Sequence, residues 1–209
     1  MNTYLRHILQ PFIWLRRFRH RRGYGVHSPF AFNLITNVIY EGAPYYKYVS
    51  LVLAEERQAA KAGKDWMYET RRAKRLLFRL VNYSQPRMII DAGTLSASAL
   101  YLQAGKTSAA YVPVTSPANL KIKGTKADFL YLHNYRDPAF CEEMFRKCAE
   151  HANARSLFVI EGIHASQTMR GLWKAVQEDS RVSVTFDLYD MGLVFFDPSK
   201  CKQNYIVNF

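Results

Sequence analysis

"IIDAGTLSASALYL", residues 89–102, decides how this chain reads. An apolar run ends in an acid, Asp91, passes through Gly93 and Thr94, and enters a stretch of helix-forming composition. A strand that hands over to a helix through a short glycine turn looks like a cofactor-binding loop, because the start of the helix offers free backbone N–H groups. The loop is short of glycine, however. Gly93 is its one glycine.

Downstream, strands and helices alternate. "AAYVPVT" (109–115) is a strand placed near a sheet edge by Pro113, which cannot donate to a ladder. "DFLYLHN" (128–134) and "SLFVIEG" (156–162) are further strands, and "PAFCEEMFRKCAEHA" (138–152) and "SQTMRGLWKAVQED" (166–179) are helices. Such alternation implies right-handed crossovers and a parallel sheet, with strands at about 87–91, 110–114, 128–133 and 156–161. The end differs: "VSVTFDLY", "LVFF" and "NYIVNF" are separated by turn residues and predict an antiparallel tail near 182–189, 193–197 and 203–209. The fold class is therefore α/β, and ligands of such sheets bind outside the carboxyl ends of the strands. That nominates 91–97, 115–118, 133–136 and 161–166.

Upstream, the chain reads as helical through residue 83. Ser28-Pro29 is a helix start, with Ser at the N-cap and Pro at the first helical position. Helices are expected over "PFAFNLITNVIY" (29–40), closed by Gly42 and Pro44, from Tyr45 to Ala62 and from Trp66 to Tyr83, the last with Arg71, Arg72, Lys74, Arg75 and Arg79 mostly on its wet face. This divides the chain into an N-terminal helical extension, 1–83, and an α/β domain, 84–209.

The net charge is +12, and six of those charges are Arg6, Arg16, Arg17, Arg19, Arg21 and Arg22, with no acid before Glu41. Leu5, Ile8, Phe12, Trp14, Leu15 and Phe18 are interleaved with them. A basic, aromatic arm over residues 1–22 suits an anionic membrane surface or nucleic acid. Equally, its apolar face would dock on its own domain, or on a second copy in a homodimer through the N-terminal helices, with the arginines solvated. No apolar run approaches the ~20 residues that span a bilayer, and Arg6, His7 and Pro11 interrupt any signal-peptide pattern. Cys141, Cys148 and Cys201 show no disulfide spacing, so a reduced, cytoplasmic setting is expected.

Four segments in order, "GVHSPF" (25–30), "RRAKRLLFRLVNYSQP" (71–86), "EGIHAS" (161–166) and "DLYDMGLVFF" (187–196), resemble those of class I S-adenosylmethionine-dependent methyltransferase-like proteins of Bacteroidetes-type bacteria, near the catechol-type O-methyltransferases. The resemblance implies a Rossmann-like methyltransferase sheet, parallel with an antiparallel C-terminal hairpin. It also implies S-adenosylmethionine as cofactor, held by Asp91, Gly93, Thr94, Ala97, Thr115 and His133, with His164 and Glu161 at the catalytic end. The departures from the family pattern matter as much. The acid that ends the family's second strand and takes the ribose hydroxyls aligns with Thr115. Only about a dozen residues join that strand to the next, with "NLKIKG" (119–124) at most a stub, so one strand and one helix are missing. The metal-binding acids of metal-dependent relatives align with His133, Glu161 and Gly162, which implies no metal and no dependence on magnesium. The resulting expectation is a methyltransferase-like protein with an eroded cofactor site and S-adenosylmethionine binding weak or lost. An active metal-independent methyltransferase on a small acceptor, with His164 as base, is one alternative. A non-enzymatic scaffold or anionic-surface module is the other.

Overall fold

The computed structural model describes residues 12, 15, 17–62, 69–94, 96–122 and 124–209. Helix α1, Pro29–Leu34, starts where Ser28 accepts the Ala31 N–H at 3.4 Å, and it runs on into a π-helical turn, Ile35–Ile39. Helix α2 spans Lys47–Ala62 and α3 spans Arg71–Ser84. The expected start of α3 at Trp66 is too early. Thr70 adopts extended backbone and accepts the Ala73 N–H at 3.2 Å, which fixes the first turn there. Nor are the basic residues of α3 mostly wet. Lys74 and Arg79 are buried, Lys74 on Glu55 and Arg79 on the carbonyls of Val38 (2.6 Å) and Ile39 (3.1 Å), which the π-turn leaves without helical partners.

Seven strands follow: β1 Met88–Ala92, β2 Ala110–Val114, β3 Phe129–Leu132, β4 Leu157–Glu161, β5 Val184–Asp187, β6 Met191–Phe195 and β7 Gln203–Ile206. They form one sheet in the order β2-β1-β3-β4-β6-β5-β7. The pairs from β2 to β4 are parallel, as the alternation with helices requires, and β6 is antiparallel to both β4 and β5. The tail departs from its expectation at one point: β7 pairs parallel with β5, adding an edge beyond the hairpin instead of folding back on it. Between β2 and β3 the described residues hold only a 3-10 turn, Pro117–Asn119, so β2 is the opposite edge. This is the expected loss of a strand and a helix.

Strand alternation splits the core in two. Ile89, Phe129, Tyr131, Leu157 and Val159 face α1 and α3, whereas Ile90, Leu130, Leu132, Phe158 and Ile160 face α5 (Pro138–Ala149) and α6 (Gln167–Glu178). Phe129, Phe158 and Phe186 are fully buried, each contributing about 1.5–3 kcal/mol. Cys141 and Cys148 are buried free thiols on α5. Helix α4, Ser98–Gly105, packs on α3.

Most of the 1–22 arm lies outside the described residues. Where it is described, its arginines are not uniformly solvated. Arg17 is buried, with Nη2 at 2.5 Å from Asp187 Oδ1 and Nη1 at 3.4 Å from the Val207 carbonyl. Phe12, Leu15 and Phe18 are instead 69%, 68% and 48% exposed. Among the described residues no helix is long and apolar enough to cross a membrane.

Candidate functional site

The carboxyl ends of β1, β3 and β4 bring Asp91, His133 and Glu161 to one place, as strand register dictates: Asp91 pairs with Tyr131, and Tyr131 with Val159. His133 Nε2 stands 2.9 Å from Asp91 Oδ1, and the Tyr111 hydroxyl donates to Asp91 Oδ2. Both Asp91 oxygens are thus engaged within the chain, and the carboxylate is 4% exposed. Burial disfavours the His133 imidazolium, but the hydrogen bond and charge of Asp91, with the charges of Glu161 and Glu69, outweigh it and hold the His133 pKa above its usual value.

Gly93 follows at φ +153, backbone that L side chains rarely adopt. The space a Cβ would take there is filled by the His133 ring, whose Cε1 lies 2.7 Å from that point. Gly93 N–H donates to the Val114 carbonyl at 3.0 Å, which ties the loop to the end of β2. The loop therefore keeps a strand–turn–helix shape, with the imidazole laid on the glycine. Ala97 is 0% exposed, while Thr94 and Thr115 are exposed.

Sequence reasoning missed Glu69. From just ahead of α3 its Oε1 accepts the Ser96 hydroxyl at 2.6 Å and lies 3.3 Å from the Tyr131 hydroxyl, and its Oε2 accepts the Ser98 N–H at 3.2 Å. The start of α4 was expected to present free N–H groups to a ligand. An internal carboxylate fills that role instead, at the positive end of the helix dipole. The partners of Glu69 lie 27, 29 and 62 residues away, so no local pattern marks it.

Tyr131 also donates to Glu161 Oε2 at 3.0 Å and stacks on His133 with ring centroids 4.6 Å apart. Burial, followed by the Glu69 charge, pushes the Glu161 carboxyl up to about 7. Glu161 and His164 line one small cavity of about 100 Å³ together with Tyr135, Tyr189 and Asp190. His164 Nε2 is 2.7 Å from Asp187 Oδ2, and its ring stacks on Tyr189. A carboxylate-held imidazole is an arrangement that can orient a base. Here the same carboxylate carries the buried Arg17, so the pair also ties the arm to the sheet.

The acid pair of metal-dependent relatives does not fit. Gly162 has φ +68, and a Cβ there would stand 2.4 Å from Tyr135 Cγ, so the position cannot take an acid unless Tyr135 moves. A different trio converges: Glu69, His133 and Glu161 each offer one ligand atom, all within 4.8 Å of one another. His133 Nδ1 is buried without a hydrogen-bond partner. A set containing an imidazole favours transition metals over magnesium.

No protein-family model and no curated protein matches the sequence. Solved structures do. The S-adenosylhomocysteine-bound methyltransferase PaMTH1 of Podospora anserina superposes with a TM-score of 0.57 at 9% identity, over 75% of this chain and 98% of that one. Cofactor-bound Rv0187 from MTB gives 0.55 at 13% identity, over 71% of this chain and 90% of that one. With the sheet order above, these likenesses define the class: this chain has the class I methyltransferase fold, and it is similar in structure to S-adenosylmethionine-dependent methyltransferases.

Proposed function

We propose that this chain is a degenerate relative of the Bacteroidetes-type methyltransferase-like proteins, one that has filled its own cofactor site and holds S-adenosylmethionine weakly or not at all. The observation that carries the reading is Glu69. Its carboxylate takes the Ser98 N–H at the start of α4, while Asp91 is saturated by His133 and Tyr111. The groups an amino-acid moiety would use are thus occupied by the chain's own side chains. Two further deficits add to this. Thr115 offers no charge-assisted bond to a ribose, a loss of about 1.5–3 kcal/mol for each such bond, and the described residues between β2 and β3 hold a single 3-10 turn where the resemblance implies a strand and a helix beside the adenine. Calorimetry of the full chain against S-adenosylmethionine and S-adenosylhomocysteine tests the reading. No heat of binding is expected at micromolar ligand, and a dissociation constant in the low micromolar range overturns it.

In place of catalysis the chain acts as a binding module through its N-terminal arm, directed at an anionic membrane surface in a reducing, cytoplasmic setting. The supporting observation is that Phe12, Leu15 and Phe18 are exposed, and that Phe18 lines one surface cavity with Arg19, Arg21, Arg22, Tyr24 and Phe32. Sedimentation with acidic vesicles should fall steeply with salt, weaken when residues 1–16 are removed, and disappear when Arg19, Arg21 and Arg22 are also replaced by Gln, which leaves Arg17 in place. Unchanged sedimentation rejects the arm as the contact. A shift from dimer to monomer on the same truncation assigns it to self-association.

A further inference from the structure

A second polar site lies away from the loop, on the exposed flank of α3. Arg71, Arg75 and Arg79 recur every four residues, and Arg72 joins them on one wall of a cavity of about 330 Å³ closed by Tyr40 and Tyr48. Like charges at this spacing repel one another on a helix, and among the described residues only Arg79 of the three hydrogen-bonds backbone carbonyls, those of Val38 and Ile39. Among the described residues none of the four is ion-paired to a carboxylate. Glu41 also lines the cavity, but its carboxylate is turned back onto the Ala43 N–H at 2.6 Å.

The arginines are posed, not loose. The Arg75 guanidinium lies 4.6 Å over the Tyr48 ring and that of Arg72 lies 4.1 Å over the Phe209 ring. Stacking on the faces leaves the N–H edges as the available donors. Arg75 Nε is buried and has no hydrogen-bond partner. Arg79, held by the Val38 and Ile39 carbonyls, supplies a fixed positive floor, with Nη1 at 3.5 Å from the Tyr48 hydroxyl. Burial lowers the Arg72 pKa, and the Arg79 charge acts in the same direction against the influence of Tyr40.

We infer that this cavity binds a phosphate ester, with Arg72 and Arg75 as its forked donors and Arg71 and Arg79 as supporting charge. Several convergent arginines exceed what a single carboxylate needs and match the charge and three oxygens of a phosphate. The small volume and aromatic walls fit a small molecule or a lipid headgroup, not a polymer. The site does not depend on the state of the methyltransferase loop.

The experiment titrates the full chain with inorganic pyrophosphate by calorimetry and, in a second arm, with vesicles carrying a phosphatidylinositol phosphate. Arg72→Gln and Arg75→Gln, each checked for native circular dichroism and melting, should weaken binding at least tenfold, whereas Arg146→Gln on α5 should not. Pyrophosphate binding lost in both variants assigns a soluble phosphate ester, and binding to vesicles alone, lost in both variants, assigns a headgroup. Absence of binding in both arms, or equal binding by folded Arg72→Gln and Arg75→Gln, overturns the site.

Discussion

Glu69 Oε2 accepts the backbone N–H of Ser98 at 3.2 Å, so a carboxylate from the chain itself sits at the N-terminus of the helix that follows the cofactor-type loop. Ala97, the N-cap residue of that helix, provides no side-chain cap. Glu69 therefore shares the Ser98 N–H, from 29 residues away, with the local Ser96 hydroxyl at 3.3 Å, and it does so where an anionic ligand group would dock. Glu69 and Glu161 both meet the Tyr131 hydroxyl, and His133 holds Asp91, while His133 Nδ1 is left buried without a hydrogen-bond partner.

The stability of the fold should decline as pH rises from about 5 to 8. Glu161 is pushed up to about 7 in the folded chain, from an ordinary 4.5. Between those values the folded state keeps a proton that the unfolded state has lost, so each step up in pH favours unfolding. His133 acts in the same direction. Its raised pKa contributes stability that is present below the unfolded value of 6.5 and lost as pH rises through the folded one. Asp187, whose pKa is lowered, sets the acid limb, because its contribution disappears as pH falls below 3.8 through its folded value. Urea midpoints across this range should show the decline, and Glu161→Gln should flatten it. A midpoint that rises toward pH 8 contradicts the assignment.

Gly93→Ala should destabilise the fold by about 1–3 kcal/mol, through strain at φ +153 and collision with His133. Combining it with His133→Ala relieves the collision but not the strain. The double variant should then lose less than the sum of the two single ones, and a strictly additive result would show that the ring does not lie on the glycine.

Arg17→Ala should cost about 1.5–3 kcal/mol, the range for a hydrogen bond to a charged group. It should stay below the 3–5 kcal/mol of a wholly uncompensated buried charge, because Asp187 keeps His164 and the Tyr189 N–H. Chemical denaturation measures this directly. No loss would mean that Arg17 is not held on Asp187.

What the sequence displays and what it hides divide along a physical line. The Ser28-Pro29 helix start and the edge position of the strand containing Pro113 are local and can be read directly, whereas the missing strand after Thr115 shows only against the pattern of the family the chain resembles. The convergence of Asp91, His133 and Glu161 can also be read directly, since strand ends in a parallel sheet meet at one edge. Glu69 is hidden because its partners come from α4 and β3, and chain distance carries no mark of the contact. The parallel pairing of β7 is hidden because an edge strand's residues do not encode which way its neighbour runs. The burial of Arg79 is hidden because it answers a π-turn 40 residues upstream whose orphan carbonyls no residue type announces.

Titration of the full chain with S-adenosylhomocysteine, with and without magnesium, is the most direct test of the central claim. The account predicts no binding at micromolar ligand in either condition. Glu69→Ala, which leaves the Ser98 N–H only the Ser96 hydroxyl at 3.3 Å, should bind more tightly than the unaltered chain. A low-micromolar dissociation constant for the unaltered chain, weakened by Glu69→Ala, would contradict it and make Glu69 a part of a working cofactor site.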